Sequence, residues 1–198
     1  MNIPNKLTVI RIIFVPFIAL FLLAESIPHH YLIAGLLFGA ASLTDYYDGK
    51  IARKNGLITD FGKFADPLAD KILVIAVIAC FVELHIVSSV LMIIILAREF
   101  MVTSLRLVAV ESGKVIAANI WGKAKTVSQM VAIITVFVTK YFIELIDMGY
   151  LPLTKWYSQI NLGVDICNGI VLWFCALMTV ISGVIYMKDN IEFVKNAK

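Results

Sequence analysis

Charge is scarce in this chain. Of its 198 residues only 16% are Asp, Glu, Lys or Arg, while 61% are hydrophobic and the mean hydropathy is +0.91. A soluble domain carries about a quarter charged residues, so this deficit excludes an ordinary water-soluble core and points to one membrane domain over residues 1–198. Cysteine and histidine are also sparse, three of each. Cys80, Cys167 and Cys175 sit inside apolar runs with no CxxC or Cys/His spacing. That gives no support to a disulfide framework and leaves them as small packing residues. His29, His30 and His85 stand at the ends of apolar runs, where a polar side chain meets headgroups rather than a metal. No low-complexity tract or internal repeat divides the chain. A net charge of +3 is too small to identify a partner, and nucleic acid is not expected.

What the chain has in abundance is apolar sequence in lengths suited to a bilayer, where a spanning helix needs ~20 residues. Six such runs are expected, at 8–24, 31–53, 65–84, 87–110, 120–142 and 164–187, separated by turn and polar residues. Lys6 and Arg11 followed by an apolar run to Ala24 resemble a signal peptide, but Pro16 interrupts the run and equally apolar stretches follow. An anchored first helix is the simpler reading. With the loops numbered alternately, one side collects Lys6, Arg11, Lys50, Arg53, Lys54, Lys63, Lys114, Lys123, Lys125 and the C-terminal lysines, the other only Lys140 and Lys155. The positive-inside rule then puts both termini in the cytoplasm. Trp121 and Trp156 near helix ends suit an aromatic belt.

Against this background several charges stand out. An ionisable side chain within a spanning helix costs ~2.5–3.5 kcal/mol on insertion scales. Asp45 and Asp48 fall in the inner half of the second run, Asp66 and Asp70 in that of the third, and Arg98, Glu99 and Arg106 in the fourth. Asp45 and Asp48 are three residues apart and Asp66 and Asp70 four, so each pair occupies one helix face. Antiparallel packing of the second and third helices brings both pairs to one depth near the cytoplasmic surface. Carboxylates crowded together stay ionised only where cations compensate them. Lysines and arginines could supply that charge as salt bridges. Hard oxygen donors on rigid helices equally suit Mg²⁺ or Mn²⁺ completed by water and phosphate oxygens, and two such ions form a clamp for displacement at phosphorus. Gly49 leaves room for a phosphate near the backbone, Ala52 keeps the next turn small, Arg53 offers a fork to phosphate oxygens, and Gly62 opens the loop before the third helix.

The stretch DYYDGKIARKNGLITDFGKFADPLAD fits D-x-x-D-G-x-x-A-R-x8-G-x-x-x-D-x-x-x-D without departure from Asp45 to Asp70. It resembles the signature of the CDP-alcohol phosphotransferases. NIPNKLTVIRIIFVP at the start, and AREFMVTSLRLVAVESGKVIAANIWGKAKT from Ala97 to Thr126, resemble the phosphatidylglycerophosphate-forming branch of that family. The likeness covers most of residues 1–130, and the last third matches in general character only. It implies an all-α integral membrane bundle of six transmembrane helices, a homodimer, and two divalent ions, Mg²⁺ or Mn²⁺. The implied reaction moves the phosphatidyl group of CDP-diacylglycerol to sn-glycerol 3-phosphate and releases CMP. By resemblance Asp45, Asp48 and Asp66 ligate metal, and Asp70 adds a ligand oxygen and acts as general base. Asn5, Thr8, Asp48, Gly49, Ala52, Arg53 and Gly62 would hold the CDP-lipid, with helix capping the alternative for Asn5 and Thr8.

The acceptor's phosphate requires a basic pocket, for which Arg98, Arg106, Lys123 and Lys125 are the candidates. Arg98 and Arg106 are eight apart and can line one face, whereas Lys123 and Lys125, two apart, do not share one. Headgroup contact is the alternative for the two lysines. Pairing with an acid is the alternative for Arg98, for which the adjacent Glu99 is geometrically poor. Asp165, near the outer end of the last run, has no explanation from sequence. Other functional classes fit less well. A cation transporter would carry polar residues toward both faces, and a purely structural subunit does not explain four intramembrane aspartates. Within the family, inositol phosphate, serine or phosphatidylglycerol are the alternative acceptors.

Overall fold

A computed structural model of the chain describes the backbone of residues 3–55, 60–111 and 119–191, and the side chains of 8–44, 68–110 and 119–191. The described residues form an all-helical bundle: α1 (Ile3–Leu23), α2 (His30–Asn55), α3 (Asp60–Glu83), α4 (Ser89–Glu111), α5 (Ile120–Asp147) and α6 (Tyr157–Asp189), with one 3₁₀ turn at Thr154–Trp156 before α6. Each expected run becomes a helix. Polar stretches that read as loop are drawn into helix at several ends, because a backbone left without water completes its hydrogen bonds within the helix. α3 begins at Asp60, so Gly62 lies inside the helix and not in a loop before it. α5 continues to Asp147 and α6 starts at Tyr157, which shortens the loop expected from Glu144 to Gln159. Thr8 lies well inside α1, which excludes the capping alternative for it.

Two turns end helices by one device. After α3, His85 adopts φ 57°; its N–H donates to Val82 O at 3.0 Å and Ile86 N–H to Phe81 O at 2.9 Å. After α5, Gly149 adopts φ 78°, with Gly149 N–H donating to Ile146 O at 3.0 Å and Tyr150 N–H to Leu145 O at 3.1 Å. Both are Schellman closures, which satisfy the last carbonyls with a left-handed residue just past the helix. α5 opens on Asn119, whose side chain accepts from Gly122 N at 2.8 Å.

The core runs through all six helices, with Ile18 and Leu22 of α1, Phe38 of α2, Val77 and Phe81 of α3, Leu91 and Ile95 of α4, Val136 and Phe137 of α5, and Leu172 and Ala176 of α6. Gly35 admits the Phe137 ring, where a Cβ would lie 3.4 Å from it. The packing order differs from the simple expectation. Among the described residues α2 and α3 touch only sparingly, and α1 packs closely on both. The first helix, not a direct α2–α3 contact, therefore sets the relation between the aspartate-bearing helices. α5 packs on α6 and α2, and α6 on α4.

The outward faces are apolar: Ile13, Phe17 and Leu20 on α1, Phe100 and Leu107 on α4, Val131 and Val138 on α5, and Ile170, Trp173 and Val184 on α6 are exposed. Arg11, Lys125, Gln129, Glu144, Asn168, Thr179 and Ser182 are buried. In water so extensive an apolar exterior would aggregate; in lipid it is the outer surface of a membrane protein. Ile120–Asp147 and Thr154–Asp189 are each long and apolar enough to cross a bilayer, and Thr8–Leu23 and His30–Thr44 are shorter apolar stretches among the described residues. Asp165 pairs with Lys140 at 2.8 Å, which accounts for the acid the sequence left unexplained. Gly149→Val, which forces a β-branched residue to positive φ, is expected to lower stability by about 1–2 kcal/mol, and His85→Gly to lower it not at all; thermal unfolding of the detergent-solubilised protein checks both.

Candidate active site

The polar groups of α3, α4, α5 and α6 converge on one cavity of about 550 Å³. Its wall includes Asp70 and Lys71 of α3, Arg98, Glu99, Thr103 and Arg106 of α4, Lys123, Lys125 and Gln129 of α5, and Tyr186 of α6. Arg98, Arg106, Lys123 and Lys125, singled out from sequence as a basic pocket, thus line a single space together with Asp70. Lys123 and Lys125 reach it although two residues apart, because the cavity wraps the first turn of α5. Lys123 is at the exposed edge, while Lys125 is buried.

Glu99 organises the inner wall. Its Oε1 accepts from Arg98 Nη1 at 2.9 Å and from Lys125 Nζ at 2.6 Å, and Lys125 Nζ also donates to Gln129 Oε1 at 2.5 Å. Sequence adjacency made Glu99 a poor partner for Arg98, and the structure corrects this: both side chains are long enough to bend toward the cavity and meet there. Lys125 is likewise no headgroup contact but a buried member of an ion pair. Arg98 Nη2 donates to Ser182 Oγ at 2.9 Å. Its stem passes Gly183, where a Cβ would lie 3.2 Å from Arg98 Cγ, so a small residue on α6 admits the arginine. Arg98 Nε is buried with no hydrogen-bond partner among the described residues. Arg106 Nε donates to Tyr186 Oη at 3.2 Å and its guanidinium lies over the Tyr186 ring, 5.8 Å from the centroid. Lys71 Nζ donates to Thr103 Oγ1, which in turn donates to Glu99 O at 2.7 Å.

Five cationic side chains against two carboxylates leave the wall strongly positive. Such an excess attracts an anion bearing several oxygens, and arginine forks match phosphate geometry. Sequence reasoning missed Lys71, Gln129 and Tyr186. Gln129 had a signal, lying one helical turn after Lys125, and so had Lys71, an ionisable side chain inside the third apolar run beside Asp70; Tyr186 had none that separates it from an ordinary helix-end residue.

Asp70 stands at the junction of this cavity with α1. Its Oδ1 accepts from Arg11 Nη1 at 2.5 Å, with Arg11 wholly buried and the Asp70 side chain about half exposed. Arg11 was also missed, having been counted only as a charge that orients the first helix. Thr8, three residues earlier on the same face, is equally buried. Asp45 and Asp48 fall in α2 and Asp66 in α3, but their side chains, with those of Asn5, Gly49, Ala52, Arg53 and Gly62, lie outside the described ones. Among the described residues no group of three or more His, Cys, Asp or Glu is placed to hold a metal. The donor set itself is chemically suited to one: four carboxylates in two helical pairs at spacings of three and four, hard donors of the kind Mg²⁺ and Mn²⁺ take.

A model of the CDP-alcohol phosphatidyltransferase family matches residues 1–181. A Bacillus subtilis protein named CDP-diacylglycerol–glycerol-3-phosphate 3-phosphatidyltransferase is 37% identical, covering 99% of this chain and 98% of its own length. A protein of the same name from Rickettsia bellii is 37% identical over 94% of each chain, and one from Haemophilus influenzae 41% identical over 67% of this chain and 73% of its own. The likeness therefore runs well beyond residues 1–130, into the last helix that closes the cavity. With a family match over nearly its whole length and relatives aligned end to end, the chain belongs to the CDP-alcohol phosphatidyltransferase family.

Proposed function

We propose that the chain transfers the phosphatidyl group of CDP-diacylglycerol to sn-glycerol 3-phosphate, forming phosphatidylglycerophosphate and CMP. The observation that carries this is the cavity that Arg98, Arg106, Lys123 and Lys125 line together with Asp70: a carboxylate and a basic pocket in one space. The names of the end-to-end relatives agree with it.

In this reading the acceptor's phosphate is held by Arg106 and Lys123, with Arg98 and Lys125 behind them. The pocket is positive enough to take a doubly charged group, and Glu99 keeps the inner cations in place. Bound there, the glycerol hydroxyl faces Asp70. Asp70 accepts its proton as the oxygen attacks the β-phosphorus, the one bearing diacylglycerol. The new P–O bond forms while the bond to the bridging oxygen breaks, and CMP leaves with that oxygen. Two divalent ions, Mg²⁺ or Mn²⁺, held by Asp45, Asp48 and Asp66 with an oxygen of Asp70, would neutralise the diphosphate and stabilise the charge on departing CMP. Asn5 and Thr8 of α1, with Gly49, Ala52 and Arg53 of α2 and Gly62 of α3, would hold the CDP group. The acyl chains remain in the bilayer. Six spans, both termini and the site on the cytoplasmic side of the cell membrane, and a homodimer complete the picture; the one-sided lysines and arginines support the orientation.

CMP release from CDP-diacylglycerol is expected only with sn-glycerol 3-phosphate, not with inositol phosphate, serine or phosphatidylglycerol, and to stop on chelation of divalent ions; equal turnover with another acceptor would refute the reading. Arg106→Gln is expected to raise KM for glycerol 3-phosphate by about tenfold or more, the worth of one charge-assisted contact, and to leave KM for the CDP-lipid within about twofold. Asp70→Asn should abolish turnover while CDP-lipid binding persists; steady-state kinetics and equilibrium binding in nanodiscs check both.

A further inference from the structure

Arg11 is the largest fully buried side chain among the described residues, and it sits in a helix with an apolar exterior. An arginine that served only to orient the first helix would extend its head to water. Arg11 turns inward instead, against the α1–α3 contact, and places Nη1 2.5 Å from Asp70 Oδ1. Burying a guanidinium costs several kcal/mol before its partner repays it, so its position calls for a reason beyond packing. Arginine has no lone pair to offer a proton or a metal and keeps its charge at every working pH. What it supplies is a fixed donor with directional N–H groups. Asp70 receives such a donor at the cavity edge, where its side chain is about half exposed.

We propose that Arg11 is the positioning residue for Asp70: by holding one carboxylate oxygen from α1, it fixes the direction in which Asp70 faces the acceptor hydroxyl. This rests on the proposed function, in which Asp70 takes that proton. α1 thereby becomes part of the catalytic apparatus, acting through α3 and not by touching the acceptor. The effect belongs to turnover and not to acceptor affinity, since the four basic residues assigned to the acceptor's phosphate stand on α4 and α5.

The test compares wild type, Arg11→Met and Arg11→Lys as full-length protein in nanodiscs. Arg11→Met keeps the length of the stem without the donor and is expected to lower kcat on the order of a hundredfold, the cost of misplacing a reacting group by about 1 Å. KM for glycerol 3-phosphate and equilibrium binding of CDP-diacylglycerol, measured without acceptor, should each stay within about threefold. Arg11→Lys, which retains a donor and a charge, should recover about tenfold of the lost kcat and tests the idea even where Arg11→Met does not fold. The proposal is overturned by unchanged kcat in Arg11→Met, by a loss that appears in KM or CDP-lipid binding, or by a folded Arg11→Lys no more active than Arg11→Met or, where that variant does not fold, one as active as wild type. Absence of wild-type CMP release with glycerol 3-phosphate would instead overturn the functional reading itself.

Discussion

A charge buried among hydrocarbon must meet a partner, and the interior of this bundle is arranged around that requirement. Arg11 meets Asp70, and Arg98 and Lys125 meet on one oxygen of Glu99. The Arg11–Asp70 pair joins α1 to α3 and the Lys125–Glu99 pair joins α5 to α4, while Arg98 and Glu99 meet within α4. Removing one member leaves an uncompensated buried ion, which is far more costly than replacing a whole pair with apolar groups.

Those pairs divide the interior into two functional regions. On the α1–α3 side a carboxylate is held by a guanidinium. On the α4–α5–α6 side a positive surplus faces the same cavity, tempered by Glu99 and shaped by Ser182, Gly183 and Tyr186 of the last helix. The basic residues and the Asp70 carboxylate thereby share one space, as the proposed transfer to a phosphate-bearing acceptor requires. The outward face of α6, with Ile170, Trp173 and Val184 exposed, suits lipid, so a single helix serves both the cavity and the apolar exterior.

The end of the bundle away from the cavity is organised by local chemistry of another kind. Glu144 of α5 accepts from the backbone N–H of His30 at 2.9 Å and of Tyr31 at 3.3 Å, so a buried carboxylate caps the start of α2. Thr139 donates to Asn168 at 2.9 Å across α5 and α6. These contacts fasten neighbouring helices where no hydrophobic driving force between them exists in lipid.

Much of this protein was legible from sequence because its signals are local. Apolar runs of bilayer length specify helices, intramembrane charges mark where function lies, and the spacing from Asp45 to Asp70 identifies a family whose chemistry those acids suit. The basic residues at 98, 106, 123 and 125 could be named as candidates from their charge, with headgroup contact and ion pairing as the alternatives. Tertiary structure alone decided which charges meet. That α1 stands between α2 and α3, that Arg11 turns inward to Asp70, and that Glu99 bends back to Arg98 and across to Lys125 are matters of helix rotation and packing. Periodicity states which residues share a face, but not which face another helix will cover, and a partner fifty-nine residues away leaves no trace in the spacing.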